Sequence, residues 1–327
     1  MHFYISNANS SNIQVLNFKK NNEINIIQEE KVKGEPQPIT ISNTKKILYI
    51  GIKFKNRINT YKILQDKKIK KIHSFDVIGT PNHISLDIEE KFLFCSSFHG
   101  NLINIILLDN LGIPKKIIHT INNVPGCHFS CTNIDNTHLI STSLKSDKFY
   151  IYKFKEKTFF PETKKKIKLN KKSGPRHLVF HPNKTIIYNI NELNGTIDVW
   201  KFQKNEFFNI KNIQNISIIP HEYKNPPWSS DIHITKNGNF LYASDRNASI
   251  ITLFKINIYN GKLILIDYYV TEEQPRSFCI SKNEKYLIVL GEKSNSISIY
   301  KINNKNGSLL FLHNMIVGSR PIWVASN

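Results

Sequence analysis

Cysteine is scarce in this chain. Four stand among 327 residues, Cys95, Cys127, Cys131 and Cys279, and no two form a C-x-x-C pair. That argues against a thiolate metal knuckle or a dithiol redox motif, and the scatter fits a reducing compartment. Long apolar runs are also missing. A stretch such as "LINIILL" at 102–108 is far too short to span a bilayer. The chain opens with "MHFYISNANSSNIQVLNF", already strand-like, with no basic region leading into an apolar one. The expectation is a cytoplasmic protein, in which a sequon such as Asn183-Lys184-Thr185 has no consequence. No G-x-S-x-G elbow, P-loop or dinucleotide fingerprint occurs, so neither a serine-hydrolase elbow nor a nucleotide cofactor is expected.

Acidic residues are outnumbered 25 to 45, which leaves a net charge of +20. Arginine is nonetheless rare. There are five, Arg57, Arg176, Arg246, Arg276 and Arg320, so lysine supplies the other 40. The lysines are spread over the whole chain, which is also crowded with Ile and Asn. Lys, Ile and Asn are what an AT-rich genome favours. The positive charge therefore reads as compositional drift rather than a polyanion-binding face, with no specific nucleic-acid partner and no membrane partner expected.

What is present is a repeat. "SGPRHLVFHPNKTIIYNINELNGTIDVWKF" at 173 resembles "EQPRSFCISKNEKYLIVLGEKSNSISIYKI" at 273 and "WSSDIHITKNGNFLYASDRNASIITLFKI" at 228. Earlier copies begin at 36, 79 and 125. Each has an apolar strand after a Pro or its equivalent, a polar turn, a second strand, another turn and a third strand. The anchors are Pro38, Pro81, Cys127, Pro175, Ser230, Pro275 and Pro321, spaced by 43, 46, 48, 55, 45 and 46 residues. This is the period of a propeller blade. The last anchor leaves room for one strand only. "HFYIS" and "IQVLNF" at the start of the chain match the second and third strands it lacks. The expectation is one all-β domain over residues 1–327, a seven-bladed β-propeller whose ring closes by pairing N- and C-terminal strands, which leaves no open edge there.

In such a blade the start of the first strand and the turn after the second share one face. The residues just after the anchors are Ile39, Asn82, His128, Arg176, Asp231, Arg276 and Ile322. The turns add Glu192, Asp245, Arg246, Glu292 and Lys293. All five arginines are expected at this face, where a planar fork suits carboxylate or phosphate better than lysine does. Blades three to six thus mark a site for a small anionic ligand. Asp231 and His233 lie two apart on one strand and point the same way. They read as a substrate contact or structural pair rather than a metal site. Trp228 either walls the pocket or caps the blade core. The lysines at 164–166 and 171–172 read as a solvated face.

The phrases "GCH" at 126–128, "GPRHLVFHP" at 174–182, "NELNGTIDVW" at 191–200, "SSDIHIT" at 229–235, "LYASDRNASIITLF" at 241–254 and "TEEQPRSF" at 271–278 together resemble the bacterial propeller-type 6-phosphogluconolactonases over essentially the whole chain. The resemblance implies a seven-bladed propeller and hydrolysis of 6-phospho-D-glucono-1,5-lactone, a phosphosugar lactone of the oxidative pentose phosphate pathway, without a metal or cofactor. The same superfamily holds fungal carboxy-muconate lactonizing enzymes. Their proposed active-site residues, a His, two Arg and a Glu, fall here on His128, Arg176, Glu192 and Arg276.

Lactone hydrolysis needs an activated water and a stabilised oxyanion. The expectation gives Arg176 and Arg276 the carbonyl oxygen and the phosphate, and His128 or Glu192 the proton, with His128 better suited because Glu192 beside an arginine is a weak base. His177, Asp231, His233, Asp245 and Arg246 are the expected substrate-binding residues. The rival readings are a muconate-type cyclase, a metal-dependent sugar lactonase and a propeller that only displays partners.

Overall fold

Every copy of the repeat becomes one four-stranded antiparallel meander in the computed structural model, which describes all residues except 20–22, 156–157, 183–184 and 204–205, and residues 155–164 through their backbone. Asn183 of the sequon lies outside the described residues. The chain divides into two compact units, Met1–Lys168 with Val317–Asn327, and Leu169–Ile316.

The first unit begins with β1 (His2–Asn7), β2 (Asn12–Phe18) and β3 (Ile24–Lys31). Its further sheets are β4 (Glu35–Ser42), β5 (Ile47–Lys53), β6 (Arg57–Ile63) and β7 (Ile69–Asp76), then β8 (His83–Leu86), β9 (Phe92–Ser97), β10 (Leu102–Leu108) and β11 (Pro114–Ile121), then β12 (Cys127–Thr132), β13 (His138–Ser143), β14 (Lys148–Lys155) and β15 (Thr158–Lys168). The second unit holds β16 (Pro175–Phe180), β17 (Ile186–Asn191), β18 (Thr196–Gln203) and β19 (Glu206–Ser217), then β20 (Ser229–Ile234), β21 (Phe240–Asp245), β22 (Ile250–Ile256) and β23 (Leu263–Val270), then β24 (Pro275–Ile280), β25 (Tyr286–Gly291), β26 (Ser296–Ile302) and β27 (Leu309–Ile316). The last strand, β28 (Pro321–Ser326), returns to the first unit and pairs with β1 from Phe3↔Ser326 to Asn7↔Pro321. The pairing of the two chain ends is as the repeat predicts.

Two local devices recur. In all seven sheets the residue just before the third strand has positive φ: Ser11, Asn56, Asn101, Asp147, Gly195, Ser249 and Asn295. The turn needs a left-handed residue to close, and Asn, Asp and Gly adopt that conformation at least cost. The second device is a stitch between sheets. Tyr4, Tyr49, Tyr188 and Tyr242 occupy the third position of their second strands. Each donates its hydroxyl to a turn carbonyl of the next sheet in the same unit: Lys67 at 3.1 Å, Gly112 at 2.6 Å, Gly261 at 2.8 Å and Gly307 at 2.7 Å. A buried tyrosine must find a partner for its hydroxyl, which accounts for the recurring "LY" and "IY" of the repeat.

The core is built from sheet against sheet. In the second unit Tyr188, Ile190, Ile197 and Val199 of one sheet pack on Ile232, Leu241, Ala243 and Phe254 of the next. Phe240, Leu253, Phe278, Leu287 and Val289 continue it into the third. Second and third strands are buried on both faces, as in IIYNIN of β17. Fourth strands are half exposed.

Replacing Tyr188 by Phe leaves the Gly261 carbonyl buried without its donor. The expected loss is about 1–3 kcal/mol, read from urea denaturation followed by tryptophan fluorescence. A midpoint unchanged from wild type would show the stitch to be idle.

Candidate active site

First strands are irregular where the candidate residues sit. Pro175 pairs with Asn191 and Leu178 with Asn189, so Arg176 and His177 together oppose Ile190. Ser229 pairs with Asp245 and Ile232 with Ala243, so Ser230 and Asp231 oppose Ser244. Arg276 is the extra residue between Pro275↔Gly291 and Ser277↔Leu290, and His128 the extra one between Cys127↔Ser143 and Phe129↔Thr142. Each is a β-bulge, which frees a residue from the ladder and re-aims its side chain. Gly174 leads into the first of these at φ 64°, where a Cβ would lie 2.6 Å from the Leu193 side chain.

The turns after the second strands face these bulges. Glu192, Arg246 and Glu292 are each the first turn residue of their sheet. The Glu192 amide donates to the Gly174 carbonyl at 2.8 Å and its carbonyl accepts from the Ser229 amide at 3.1 Å. That fixes the turn between the starts of β16 and β20. Its Oε2 then receives Arg176 Nε at 3.0 Å and Arg246 Nη2 at 2.9 Å. Oε1 receives the Trp228 indole N–H at 3.3 Å.

Arg176 is 1% exposed. Its Nη1 also meets the Ser230 carbonyl and His177 Nε2, the latter at 3.2 Å. Arg246 donates to the carbonyls of Trp228 and Ser229, both at 3.1 Å, and its guanidinium lies 3.7 Å over the Trp228 ring. Burial opposes charge on Glu192, but Arg246 and then Arg176 outweigh it and hold the carboxyl below its ordinary range. Burial, against the pull of Glu192, lowers Arg176 to about 10. Burial, joined by the charge of Arg176, lowers Arg246 to about 9. All three groups are ionised at neutral pH.

The chain of contacts runs on from Arg176. His177 Nδ1–H donates to Asp231 Oδ1 at 2.8 Å, and Asp231 Oδ2 lies 3.4 Å from His233 Nε2. Burial, then the charge of Arg176, push the His177 imidazole down to about 4. It is neutral at pH 7, with Nε2 free to accept from Arg176. Burial opposes ionisation of Asp231, but the two histidines hold it well below the usual carboxylate range. The third arginine, Arg276, repeats the first pair in a looser form. Its Nη1 lies 3.5 Å from Glu292, and its side chain is 23% exposed.

Of the expected residues, Arg176, His177, Glu192, Asp231, His233 and Arg246 form one connected network in the second unit. Arg276 stands with Glu292 in the third sheet of that unit. His128 belongs to the first unit. It is buried there, with Phe98 edge-on at 6.1 Å and its carbonyl accepting from Asn82 at 3.0 Å. Asp245 is different from expectation. Oδ1 accepts the amides of Asn247 and Ala248, and Oδ2 accepts the Trp228 amide and the Ser229 hydroxyl. It is fully buried and builds the turn that carries Arg246, so a substrate contact gives way to a scaffold role. Arg57 and Arg320 pair in the first unit with Asp76 at 2.6 Å and Glu35 at 3.8 Å. Trp228 was readable only as a wall or a cap; its bond to Glu192 depends on a loop whose path no local pattern encodes. Among the described residues, no group of three or more His, Cys, Asp or Glu side chains is arranged to hold a metal ion.

The family model described as a seven-bladed β-propeller lactonase matches residues 3–326. A 6-phosphogluconolactonase of Buchnera aphidicola subsp. Acyrthosiphon pisum is 45% identical over 98% of this chain and 97% of its own. The 6-phosphogluconolactonase of Erwinia tasmaniensis is 31% identical over 99% and 98%. Among solved structures, the periplasmic gluconolactonase of Pseudomonas aeruginosa superimposes with a TM-score of 0.89 at 17% identity, covering 99% of this chain and 98% of that one. At that identity the likeness speaks for the fold alone.

His177 generates a prediction about stability and pH. Its folded pKa lies below its unfolded one, so the unfolded chain binds the extra proton between about pH 6.5 and pH 4. Stability is therefore full above that window and falls as the pH drops through it, by up to about 3 kcal/mol. In His177→Gln this share of the fall should vanish. Denaturant titrations at several pH values check it, and parallel curves for the two proteins would refute it.

Proposed function

As a member of the seven-bladed β-propeller lactonase family, to which this chain belongs, the protein is an enzyme of lactone hydrolysis, and we propose that its substrate is 6-phospho-D-glucono-1,5-lactone. Whole-chain likeness to enzymes of that name carries the reading, and the network in the second unit supplies means for it. Water adds to the lactone carbonyl carbon, the carbonyl oxygen takes the negative charge, and the ring C–O bond then breaks. The ring oxygen gains a proton and the new carboxylic acid loses one. Two demands follow: a cation near the oxyanion or the phosphate, and a group that accepts the proton of water.

Arg276 answers the first demand. It is partly exposed and its contact with Glu292 is long, so its fork can turn to an incoming anion. Arg176 and Arg246 are buried and committed to Glu192; they hold the site rather than meet the substrate. Glu192 is ionised with both oxygens occupied, which unfits it as the base. Proton transfer therefore falls to an imidazole. His128, the expected base, belongs to the first unit. A cytoplasmic location is consistent with four cysteines that form no disulfide.

The purified protein should speed the loss of freshly prepared 6-phosphogluconolactone well above the spontaneous rate, with chelator present as well as absent. Arg276→Ala should lower kcat/KM by about a hundredfold or more, the scale for one lost anion-stabilising donor. No acceleration would favour a display scaffold or a cyclase, and loss of activity on chelation would favour a metal-dependent lactonase.

A further inference from the structure

We propose that His233, aimed by Asp231, is the general base that takes the proton from the attacking water. The proposal rests on the lactonase reading and names the proton acceptor within it. Asp231 is anchored from three sides. Oδ1 accepts His177 Nδ1–H at 2.8 Å and the Ile232 amide at 3.0 Å, and Oδ2 accepts the Phe278 amide at 3.4 Å. The remaining approach to Oδ2 is taken by His233 Nε2 at 3.4 Å. The other face of the imidazole is set by Phe278, whose ring meets it edge-on at a centroid distance of 4.7 Å. A buried carboxylate thus lies within ion-pair distance of a ring whose side chain is 36% exposed.

A carboxylate beside one nitrogen of a partly exposed imidazole is the pairing an oriented base uses. Asp231 stands at Nε2, so Nδ1 is the nitrogen left for the proton of water. The other titratable groups of the network are unsuited. Glu192 has both oxygens occupied, and His177 is buried with one ring nitrogen on Asp231 and the other on Arg176.

The step balances without a further reactant. Water gives its oxygen to the lactone carbonyl carbon and its proton to His233 Nδ1. The imidazolium so formed, stabilised by Asp231, returns that proton to the ring oxygen as the C–O bond breaks. The ring is left neutral for the next turnover. Asp231 is a positioning residue in this scheme and touches no substrate. The titratable groups that face His233 are Asp231 on its own strand, His177 from β16 and Tyr242 paired with it on β21.

The test measures kcat and KM for 6-phosphogluconolactone against pH, with the spontaneous rate subtracted. Wild-type activity should fall on the acid side as one group protonates. His233→Gln should lose about a hundredfold or more in kcat, keep KM within a few-fold, and lose that acid limb. In His233→Ala, added imidazole should restore part of the rate. Asp231→Asn should lower kcat with KM kept within a few-fold, because the step loses the anion that stabilises the imidazolium it forms. A merely structural histidine would produce neither imidazole rescue nor loss of the acid limb. Thermal melts verify that the variants fold. If wild type is active and His233→Gln keeps its kcat and acid limb, the assignment of the base falls while the lactonase reading stands. If wild type gives no acceleration, both fall.

Discussion

One carboxylate holds the site together. Two guanidiniums buried in the same few ångströms would not stay charged there without compensation. Removing each from water costs several kcal/mol. Glu192 supplies the counter-charge to both, at 3.0 and 2.9 Å from one oxygen. The carbonyls of Trp228, Ser229 and Ser230 take further donors of the pair. The two arginines come from different sheets, and Glu192 sits in a turn of the first. The ion triad is therefore also what fixes the start of β16, the start of β20 and the two turns against one another. Such an arrangement is weak evidence for net stability and strong evidence for constraint, because loss of Glu192 strands two buried cations.

The constraint propagates outward as hydrogen bonds. Arg176 is held by Glu192, His177 by Arg176 and Asp231, and Asp231 by His177 and two backbone amides. Only at the far end, at His233, does the network reach a half-exposed group. Arg276 and Glu292 form a second arginine–glutamate pair in the same unit, longer at 3.5 Å and with its guanidinium partly exposed.

Much of this was legible in the chain itself. The anchor spacing marks seven copies, and the strand ends of the fourth copy place Arg176 beside Glu192, as the 3.0 Å contact bears out. The pairing of β1 with β28 follows from the same count. What the sequence could not carry is direction and burial. All five arginines read alike as forks for an anion, yet Arg176 and Arg246 are buried on Glu192 while Arg57 is exposed on Asp76. Asp245 and Asp231 read alike as charged site residues, yet one closes a turn and the other bridges two histidines. The bulges decide these outcomes. A single extra residue in a strand has no compositional signature, and it changes which way every candidate points.

The repeat also separates what the fold needs from what the site needs. Each of the seven turns requires a residue of positive φ before the third strand, and each has one. The first position of the turn carries no such requirement. In the first unit it is Ala8, Phe54, Phe98 or Leu144, and in the second it is Glu192, Arg246 or Glu292. The bulge positions vary likewise, with Ile322 in one sheet, His128 in another and Arg176, Asp231 or Arg276 in the second unit. Backbone geometry is thus common property of all the sheets, and chemistry is written on it by side chains at two positions per repeat. For that reason the charged cluster can be dense without straining the fold: every ionised group hangs from a backbone conformation that the uncharged sheets adopt as well.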